Sequence, residues 1–419
     1  MNGLTPELVE RIYADASDAL SNEEMYARVQ EHTGMTNEQL QEMKTFGTGK
    51  TRTSAVKNKL RWFQQTLRQA GIIERVPGAR AVWKYAKKTS SDLHEVRDDV
   101  RVVAFSTDLG VAIFGDARNV FSSINEPITL CLTSPPYMLK NARDYGSPAK
   151  TETAYIDFML RSLEPIMESL VRGGSVVINT SSDIFNPGRP SRSLYLERLT
   201  LALCDNFGLE LMDRLIWVNR SKPPAPTHWA CKEQVQLAVA WEPVLWFTND
   251  AMHVKSDNRR VLQPHTDTHK RLIAAGGEDR ITNYGDGAYQ LKRGSYGAAT
   301  DGSIMRNVIE RGNACSDTRF CHRVANELGL PRHGATFPTA LASTLIEFLT
   351  EKGDLVVDLF AGLCKVPVAA ERLGRRWIAS DKILEWFAVA RHMFSSVPGF
   401  ESHELLDNLV SEYQRKEQA

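Results

Sequence analysis

The sequence predicts an α/β protein in which a large sheet covered by helices follows a small helical module. Three patterns in its 419 residues support this fold class. Apolar strand segments alternate with helical segments from Val111 to about Phe394, which favours a parallel sheet. One apolar strand ends in Ser-Pro-Pro-Tyr at residues 134–137. Residues 353–381 have the order strand, turn, helix, strand, which is typical of a βαβ unit.

Residues 1–88 are predicted to form a separate helical module. Thr5-Pro6 opens a helix that extends to about Leu20, and Ser21 has the side chain of an N-cap for a helix over residues 23–32. A third helix, over residues 53–70, carries four apolar residues at helical spacing: Val56, Leu60, Phe63 and Leu67. An extended hairpin turns at Pro77-Gly78 and returns over residues 81–85.

Charge is distributed unevenly within this module, although the whole chain has 51 basic and 51 acidic residues. Residues 1–43 contain nine acidic and two basic residues, whereas residues 44–88 contain twelve basic residues and one acidic residue. A basic helix followed by a basic hairpin suits contact with a DNA groove and its phosphates. A solvated basic face and a protein-contact module are the alternatives. The candidate DNA-binding residues are Arg52, Lys57, Lys59, Arg61 and Arg68.

The rest of the chain is predicted to be one large domain that follows a linker. Residues 89–100 are polar and are interpreted as the linker, which leaves residues 101–419 for the second domain. Within it, residues 250–330 interrupt the alternation of strands and helices and are rich in Gly, Asn, Arg, Lys, His and Tyr. A long polar-aromatic insertion in a compact domain is usually functional or disordered.

Cysteine spacing and hydropathy exclude several classes of protein. The six cysteines are dispersed without the spacing of a zinc site or a disulfide framework, so we expect neither a metal nor disulfides. The sequence has no signal peptide and no apolar run near 18 residues. We therefore expect a cytoplasmic protein with no membrane partner.

The segment Ser134-Pro135-Pro136-Tyr137 is the first candidate site. Two consecutive prolines cannot continue a sheet ladder, so the buried strand stops there. Ligands of open α/β sheets bind at the carboxyl ends of strands. A small hydroxyl, a rigid carbonyl and an aromatic ring suit a planar molecule that bears an amino group. A strand terminated by Pro-Pro, with a packed tyrosine, is the structural alternative.

The βαβ unit at residues 353–381 is the second candidate site. Gly362 follows the first strand and permits close approach of a ligand to the backbone. Asp381 ends the next strand, where an acidic side chain can accept hydrogen bonds from a ribose diol. The turn lacks G-x-G-x-x-G and the phosphate-binding P-loop pattern. An adenosine ligand without a pyrophosphate therefore fits best, with a plain structural turn as the alternative.

Together the two sites resemble the β-class amino-methyltransferases of bacterial DNA modification. The similarity covers about residues 110–395 and includes GDA at 115–117, TSPPY at 133–137, WEPVLWF at 241–247 and HGATFP at 333–338. TSPPY followed by the Trp- and Lys-Pro-rich WVNRSKPPAPTHW resembles the cytosine-N4 branch. Residues 1–88 resemble the winged-helix domain at the start of Mrr-type restriction proteins, notably in KNKLRWFQQTLRQAGIIERV.

The resemblance implies a Rossmann-like S-adenosylmethionine-dependent methyltransferase sheet, with residues 250–330 as an inserted target-recognition region. Its catalytic residues would be Ser134, Pro135, Pro136 and Tyr137. The serine hydroxyl and the first proline carbonyl would accept hydrogen bonds from the target amino group, and the tyrosine would stack on a flipped base. The implied cofactor-binding residues are Asp116, Thr336, Phe337, Pro338, Asp358, Phe360, Gly362, Lys365 and Asp381. Lys222 is a candidate phosphate or backbone contact beside the catalytic pocket.

The cofactor loop departs from the family pattern. After Gly362 the family continues with small and hydroxyl residues, whereas this chain continues Leu363-Cys364-Lys365-Val366-Pro367. A lysine within about 5 Å of a sulfonium would cost of order 1–3 kcal/mol. Three interpretations follow. Lys365 points to solvent or DNA phosphate, or cofactor binding is weakened or lost, or the donor is a carboxylated S-adenosylmethionine whose anion pairs with Lys365.

The predicted function is therefore site-specific methylation of the N4 amine of cytosine in double-stranded DNA, by base flipping and direct transfer from S-adenosylmethionine. Adenine-N6 methylation is the nearest alternative, and Ser134 weighs against it. A cytosine-N4 transferase that uses the carboxylated donor, or a catalytically silent DNA-binding homologue, also remains open. The restriction–modification resemblance leaves open a companion restriction endonuclease and either a monomer or a homodimer.

Overall fold

A computed structural model describes residues 4, 6–16, 18–45, 52–69, 73–76, 78–85, 93–96, 100–138, 149, 151–220, 222, 225–283 and 290–418. The chain divides into two compact units, Met1–Leu93 and His94–Ala419. The division falls inside the stretch interpreted as a linker. From His94 to Val96 the backbone pairs with the second unit, where Glu95 forms a bridge with Ile383.

The first unit combines helices with a three-stranded sheet of order β1-β5-β4 and a small β2-β3 ribbon. The predicted helices and hairpin are present in the expected order, but a short helix α3 and the β2-β3 ribbon, which were not predicted, precede the basic helix. The first helix ends earlier than expected, because the chain must turn to pair Leu20 with Trp83 in the sheet. The elements are α1 (Pro6–Ala14), β1 (Leu20–Ser21), α2 (Asn22–Thr33), α3 (Asn37–Gln41), β2 (Met43–Thr45), β3 (Arg52–Ser54), α4 (Ala55–Gln69), β4 (Ile73–Arg75) and β5 (Val82–Tyr85).

The predicted apolar face of α4 forms the core of this unit. Its four residues are all buried, in one cluster with the apolar side chains of α1 and α2. Gln64 lies in the same interior, where its amide donates hydrogen bonds to Tyr13 Oη (2.7 Å) and Asn22 Oδ1 (2.9 Å). Helix α2 begins in a reciprocal capping box between Ser21 and Glu24. The basic residues of α4 are thereby left to its other faces.

The second unit is built on a ten-stranded sheet of order β14-β10-β11-β9-β8-β15-β16-β7-β6-β17, with a separate β12-β13 ribbon. Its strands are β6 (Arg101–Ser106), β7 (Gly110–Gly115), β8 (Ile128–Thr133), β9 (Leu170–Asn179), β10 (Glu210–Val218), β11 (Trp241–Thr248), β12 (Thr282–Asn283), β13 (Gln290–Leu291), β14 (Val308–Glu310), β15 (Leu355–Asp358), β16 (Arg376–Asp381) and β17 (Glu401–Ser402).

The sheet is parallel at its centre and again where β14 joins β10, but antiparallel pairs interrupt it, so the expectation of a parallel sheet is only partly correct. Neighbours among β9, β8, β15, β16 and β7 are parallel, whereas β6, β17, β10 and β11 join by antiparallel pairing. Strands β6 and β7 are separated by only residues 107–109, and so short a connection permits only an antiparallel pair.

Helices accompany the central strands and bury their apolar faces on the sheet. Most of α11 and the whole of α12 are buried. The helices are α5 (Ala117–Phe121), α6 (Glu152–Met167), α7 (Tyr195–Phe207), α8 (Asp267–Ala274), α9 (Ser316–Glu327), α10 (Thr339–Leu349), α11 (Lys365–Arg372), α12 (Leu384–Ala390) and α13 (Glu404–Gln418). No helix in the described ranges has the length and apolar character needed to cross a membrane.

Residues 250–330 are more regular at their end than the sequence predicts. Strand β14 extends the central sheet beside β10, and α9 buries Cys321 and Val324. The expectation of an irregular segment is wrong there, because these short apolar patterns pack on the domain. The preceding part contains α8 and the β12-β13 ribbon, in which many of the basic side chains pair with nearby acidic residues.

Candidate active site

A cleft of about 1040 Å³ opens at the carboxyl ends of β8, β15 and β16. Strands β8 and β15 are hydrogen-bonded neighbours, with Leu130 opposite Val356 and Cys131 opposite Val357. The two candidate sites predicted from the sequence therefore lie side by side. Residues from both candidate sites line the cleft: Ser134, Pro135, Pro136, Tyr137, Phe360, Gly362, Lys365 and Asp381, together with Asp116, Thr336, Phe337 and Lys222.

The acceptor side of the cleft is held by a polar network around Tyr137. The Tyr137 hydroxyl donates to Glu242 Oε2 at 3.0 Å and accepts from Asn179 Nδ2 at 2.8 Å. The same amide lies 3.3 Å from Ser134 Oγ. Burial, with a further contribution from Glu242, raises the pKa of Tyr137, so the phenol keeps its proton. The network fixes both the hydroxyl and the ring at the end of β8.

Lys222 belongs to this network. Its ammonium lies 3.0 Å from Glu242 Oε1, and both side chains are largely buried. The sequence interpretation placed Lys222 at a DNA phosphate, but here its charge is paired inside the cleft. Glu242 thus accepts hydrogen bonds from both Lys222 and Tyr137.

Sequence reasoning missed Asn179 and Glu242 as site residues. Asn179 ends β9, and Glu242 lies near the start of the antiparallel strand β11, so both lie at the edge of the sheet that opens to the cleft. The signal was present in WEPVLWF, in which an acidic residue interrupts an apolar strand. Only the strand register shows that this carboxylate reaches Tyr137.

The donor side begins at Asp358, which is buried at the end of β15. Thr133 Oγ1 donates to its Oδ1 at 2.7 Å, and the backbone N–H of Phe360 donates to the same oxygen at 3.2 Å. Burial outweighs these hydrogen bonds and raises the pKa of Asp358 to about 7. Asp358 holds the loop through its hydrogen bond to the Phe360 N–H, while Phe360 itself lines the cleft.

Gly362 and Asp381 join this loop to β16. Gly362 has φ +47°, and a Cβ there would lie 3.2 Å from His333 Nε2, so glycine suits both the backbone and the space. Its N–H donates to Asp381 Oδ2 at 2.7 Å, while the N–H of Ile383 donates to Oδ1 at 2.9 Å. Burial raises the pKa of Asp381 to about 6 against these hydrogen bonds. The carboxylate retains lone pairs for a ligand.

Asp116 and the segment 336–338 complete the donor side of the cleft. Asp116 caps α5 and binds Arg118 (2.8 Å) and Lys382 (2.7 Å). Burial alone would raise the pKa of Asp116, but hydrogen bonds from these two cations hold it below its usual range. Thr336 and Phe337 line the cleft, and Pro338 is the N-cap of α10.

Lys365 contradicts the first interpretation given for it. It is only 3% exposed, so it does not point to solvent or to a phosphate on the protein surface. The reason is its position as the first residue of α11, which is buried over residues 365–370. Its ammonium has no hydrogen-bond partner among the described residues.

The candidate DNA-binding residues of the first unit differ in exposure. Lys59, Arg61 and Arg68 are exposed on α4. Lys57 is mostly covered, because its ammonium pairs with Glu23 at 3.6 Å and lies 4.8 Å from the centre of the Tyr26 ring. The backbone of Arg52 belongs to β3, but its side chain lies outside the described part of the chain.

Comparison with known proteins identifies relatives of both units. Residues 128–391 match the DNA methylase family, and residues 11–91 match the Mrr N-terminal domain. The type II methyltransferase M.PvuII of Proteus hauseri is 30% identical over 310 residues, which cover 74% of this chain and 87% of the relative. The solved PvuII DNA methyltransferase (cytosine-N4-specific) aligns with a TM-score of 0.56 at 24% identity, covering 75% and 95% of the two chains. These matches confirm the resemblances inferred from the motifs.

Replacing Asp358 by asparagine is expected to alter how stability depends on pH. A folded pKa near 7 lies above that of an ordinary carboxyl, so the folded state retains the proton and stability falls as pH rises from about 4 to about 7. Asp358→Asn removes this fall in stability, which amounts to about 1.4 kcal/mol for each unit by which the folded and unfolded pKa values of Asp358 differ. Calorimetric unfolding between pH 4.5 and 8 should show that the stability of the variant relative to that of the wild type increases up to pH 7.

The exposed carboxylate of Asp205, on α7, provides the matched control. Asp205→Asn makes the same chemical change at an exposed position. A difference between wild type and Asp358→Asn that is constant from pH 4.5 to 8 would contradict the raised pKa of Asp358.

Proposed function

The chain belongs to the DNA methylase family, and we propose that it transfers a methyl group from S-adenosylmethionine to the N4 amine of cytosine in double-stranded DNA. One observation carries the proposal: the Ser134–Tyr137 segment and the Asp358–Gly362 loop line or support a single cleft from adjacent strands. A target amine and a methyl donor can meet there. The name of the M.PvuII structure as cytosine-N4-specific, together with Ser134 at the head of the motif, favours cytosine.

The chemical task on the acceptor side is to make a poor nucleophile react. The lone pair of the cytosine amine is delocalised into the ring. Hydrogen bonds from this amine to Ser134 Oγ and to the Pro135 carbonyl would favour a pyramidal nitrogen whose lone pair is directed at the methyl group. Asn179 lies close enough to the Ser134 hydroxyl to orient it. No covalent bond to the protein is required.

Tyr137 is suited to hold the target base after it leaves the duplex. Its hydroxyl is fixed by Asn179 and Glu242, which sets the plane of the ring in the cleft. A base must be flipped out to reach such a pocket, and an aromatic ring repays part of the lost stacking. Asn179 Oδ1 is buried without a partner among the described residues, and it offers a further acceptor for a polar ligand.

The donor side fits S-adenosylmethionine. When bound, this cofactor supplies a methyl group made electrophilic by a sulfonium. Asp381 presents a carboxylate suited to a ribose diol, and Phe360 and Phe337 offer apolar surface for an adenosine. The Asp358 and Asp381 carboxyls become anionic near neutral pH and can balance a cationic donor. The donor loop is therefore compatible with an adenosine ligand that carries positive charge.

Two regions would contact the DNA outside the cleft. Residues 250–330 would form the target-recognition region, whose polar and basic side chains suit base edges in the major groove. The first unit would bind DNA as a winged helix, with Lys59, Arg61 and Arg68 near phosphates. These basic residues are exposed on α4, which also carries the core of its unit.

Product analysis tests the reaction directly. Double-stranded DNA is incubated with the protein and S-adenosylmethionine, digested to nucleosides and examined by mass spectrometry, with N4-methylcytosine as the expected product. Ser134→Ala should lower the single-turnover rate by roughly 10²–10³-fold, because an acceptor aimed at the reacting amine is lost. Donor affinity should be unchanged, since Ser134 lies on the other side of the cleft.

The control for this variant is Ser411→Ala, which alters a hydroxyl on α13 that bonds only to the backbone carbonyl of Asp407. Its rate should equal that of the wild type. Detection of N6-methyladenine would replace cytosine by adenine as the target. An unmodified nucleoside pool at every DNA sequence tested would overturn the proposed activity.

Donor affinity is expected to rise with pH. The raised pKa values of Asp358 and Asp381 mean that these carboxyls lose protons between about pH 5.5 and 7.5, and only the anions attract a sulfonium. Calorimetry should show a roughly tenfold or greater gain in affinity over this range, with net proton release near pH 6.5. Asp358→Asn should reduce both effects. A donor affinity and a proton release that do not change with pH would contradict this prediction.

Charge removal on α4 tests DNA binding by the first unit. The triple variant Lys59→Gln/Arg61→Gln/Arg68→Gln should weaken DNA binding roughly 10–100-fold. It should also reduce the steepness of the slope of log affinity against log salt concentration by up to about three. Fluorescence anisotropy at several salt concentrations measures both. Lys57→Gln is the matched control with a smaller expected effect, because Glu23 and Tyr26 already hold that charge. An unchanged salt slope in the triple variant would exclude phosphate contact.

A further inference from the structure

Lys365 is a buried cation for which the described residues supply no hydrogen-bond acceptor. The residue is 3% exposed, and its Nζ has no hydrogen-bond partner among the described residues. Lys365 is nevertheless one of the residues that line the cleft. Burial of an ammonium without a partner is strongly unfavourable, so such groups are normally paired, neutralised or matched by a ligand. The arrangement indicates that a bound molecule provides the missing anion.

Asp317 is an acidic residue that could pair with Lys365, but its carboxylate is already paired with another cation. Lys365 influences the pKa of Asp317 on α9, but no salt bridge joins the two side chains. Asp317 instead receives two hydrogen bonds from Arg372, at 2.7 and 3.0 Å. A bidentate arginine neutralises the carboxylate in a fixed geometry. The positive charge of Lys365 therefore remains available to a ligand.

The backbone around Lys365 adds to the positive potential. Lys365 is the first residue of α11, and no side chain caps that helix. The first turn of a helix carries partial positive charge. The preceding residue, Cys364, has φ +51°, so the chain turns sharply between the donor loop and the helix. Lys365 therefore begins α11 directly after the donor loop that contains Gly362.

We propose that Lys365 is an anion-binding residue whose ammonium pairs with a carboxylate of the sulfonium donor. This inference rests on the proposed function and names the chemistry that its donor site recognises. The carboxylate has two possible sources, the amino-acid end of S-adenosylmethionine or a carboxylate on the transferred carbon. Either source places an anion against Lys365 and offsets the repulsion between the lysine and the sulfonium.

The second source would change the product. The cytosine N4 would attack the methylene carbon of a carboxymethyl sulfonium, the carbon–sulfur bond would break, and its electron pair would leave with S-adenosylhomocysteine. N4 would lose one proton to solvent. The DNA would then carry a carboxymethylamino group in place of a methylamino group.

Calorimetry with three donors separates the two sources. The donors are S-adenosylmethionine, its decarboxylated form, and the form carboxylated on the methyl group. If the amino-acid carboxylate is the partner, the wild type should bind the decarboxylated donor roughly 10–100-fold more weakly than S-adenosylmethionine. If the transferred group carries the partner carboxylate, the wild type should bind S-adenosylmethionine and its decarboxylated form equally. It should then bind the donor carboxylated on the methyl group roughly 10–100-fold more tightly than either. Lys365→Met should remove whichever preference is present.

Thermal unfolding gives a readout that does not depend on catalysis. Without donor, Lys365→Met should unfold at a higher temperature than the wild type, because it removes an unpaired buried charge. A saturating concentration of the donor that calorimetry shows to pair with Lys365 should then stabilise the variant less than the wild type. Lys365→Thr, which also removes the charge, should behave like Lys365→Met. The exposed Lys352 supplies the control, and Lys352→Met should change neither quantity.

The outcomes distinguish this inference from the function on which it rests. Equal affinities of Lys365→Met and wild type for all three donors would overturn the role of Lys365 and leave the methyltransferase proposal intact. A lower unfolding temperature of both Lys365 variants without donor would show that the fold itself satisfies the lysine, and would also overturn it. Failure of the wild type to bind any of the donors would overturn the proposed function and this inference together.

Discussion

The hydrogen bond between Thr133 and Asp358 fixes the geometry on which the cleft depends. Both residues are buried, one at the end of β8 and the other at the end of the adjacent β15, and the bond is 2.7 Å long. The Ser134 segment starts at the next residue after Thr133, and the donor loop starts after Asp358. A short bond in the interior therefore sets the distance between acceptor and donor segments, where small displacements affect reactivity strongly.

The charges of the cleft form a pattern that an incoming ligand completes. Asp358 and Asp381 have raised pKa values, and a cationic ligand would favour their anionic forms, whereas Lys365 carries a positive charge that an anion would pair. The acceptor side differs, because Lys222 and Glu242 already neutralise each other. A donor that carries both a sulfonium and a carboxylate matches this pattern, and a neutral base matches the other side.

Local patterns predicted much of the fold and the position of both candidate sites. Strand ends and turns depend on nearby residues such as Pro135 and Gly362, whose backbone preferences are strong. The antiparallel edges of the sheet were not predicted, since strand direction depends on connections and packing. Asn179 and Glu242 come together only through the register of β9 and β11, which a single sequence does not display. The burial of Lys365 likewise depends on the packing of α11.

The unusual feature of the donor loop is that the charged residue Lys365 is buried together with its apolar neighbours. Leu363 and Cys364 lie in the interior at 3% and 0% exposure, where they add apolar contact. Lys365 shares that burial, and its ammonium has no hydrogen-bond partner within the described part of the chain. A molecule that binds only the folded state stabilises it in proportion to the logarithm of its concentration over Kd. A donor that pairs with Lys365 would thus relieve an unfavourable buried charge, so occupancy of the cleft and stability of the loop would rise together.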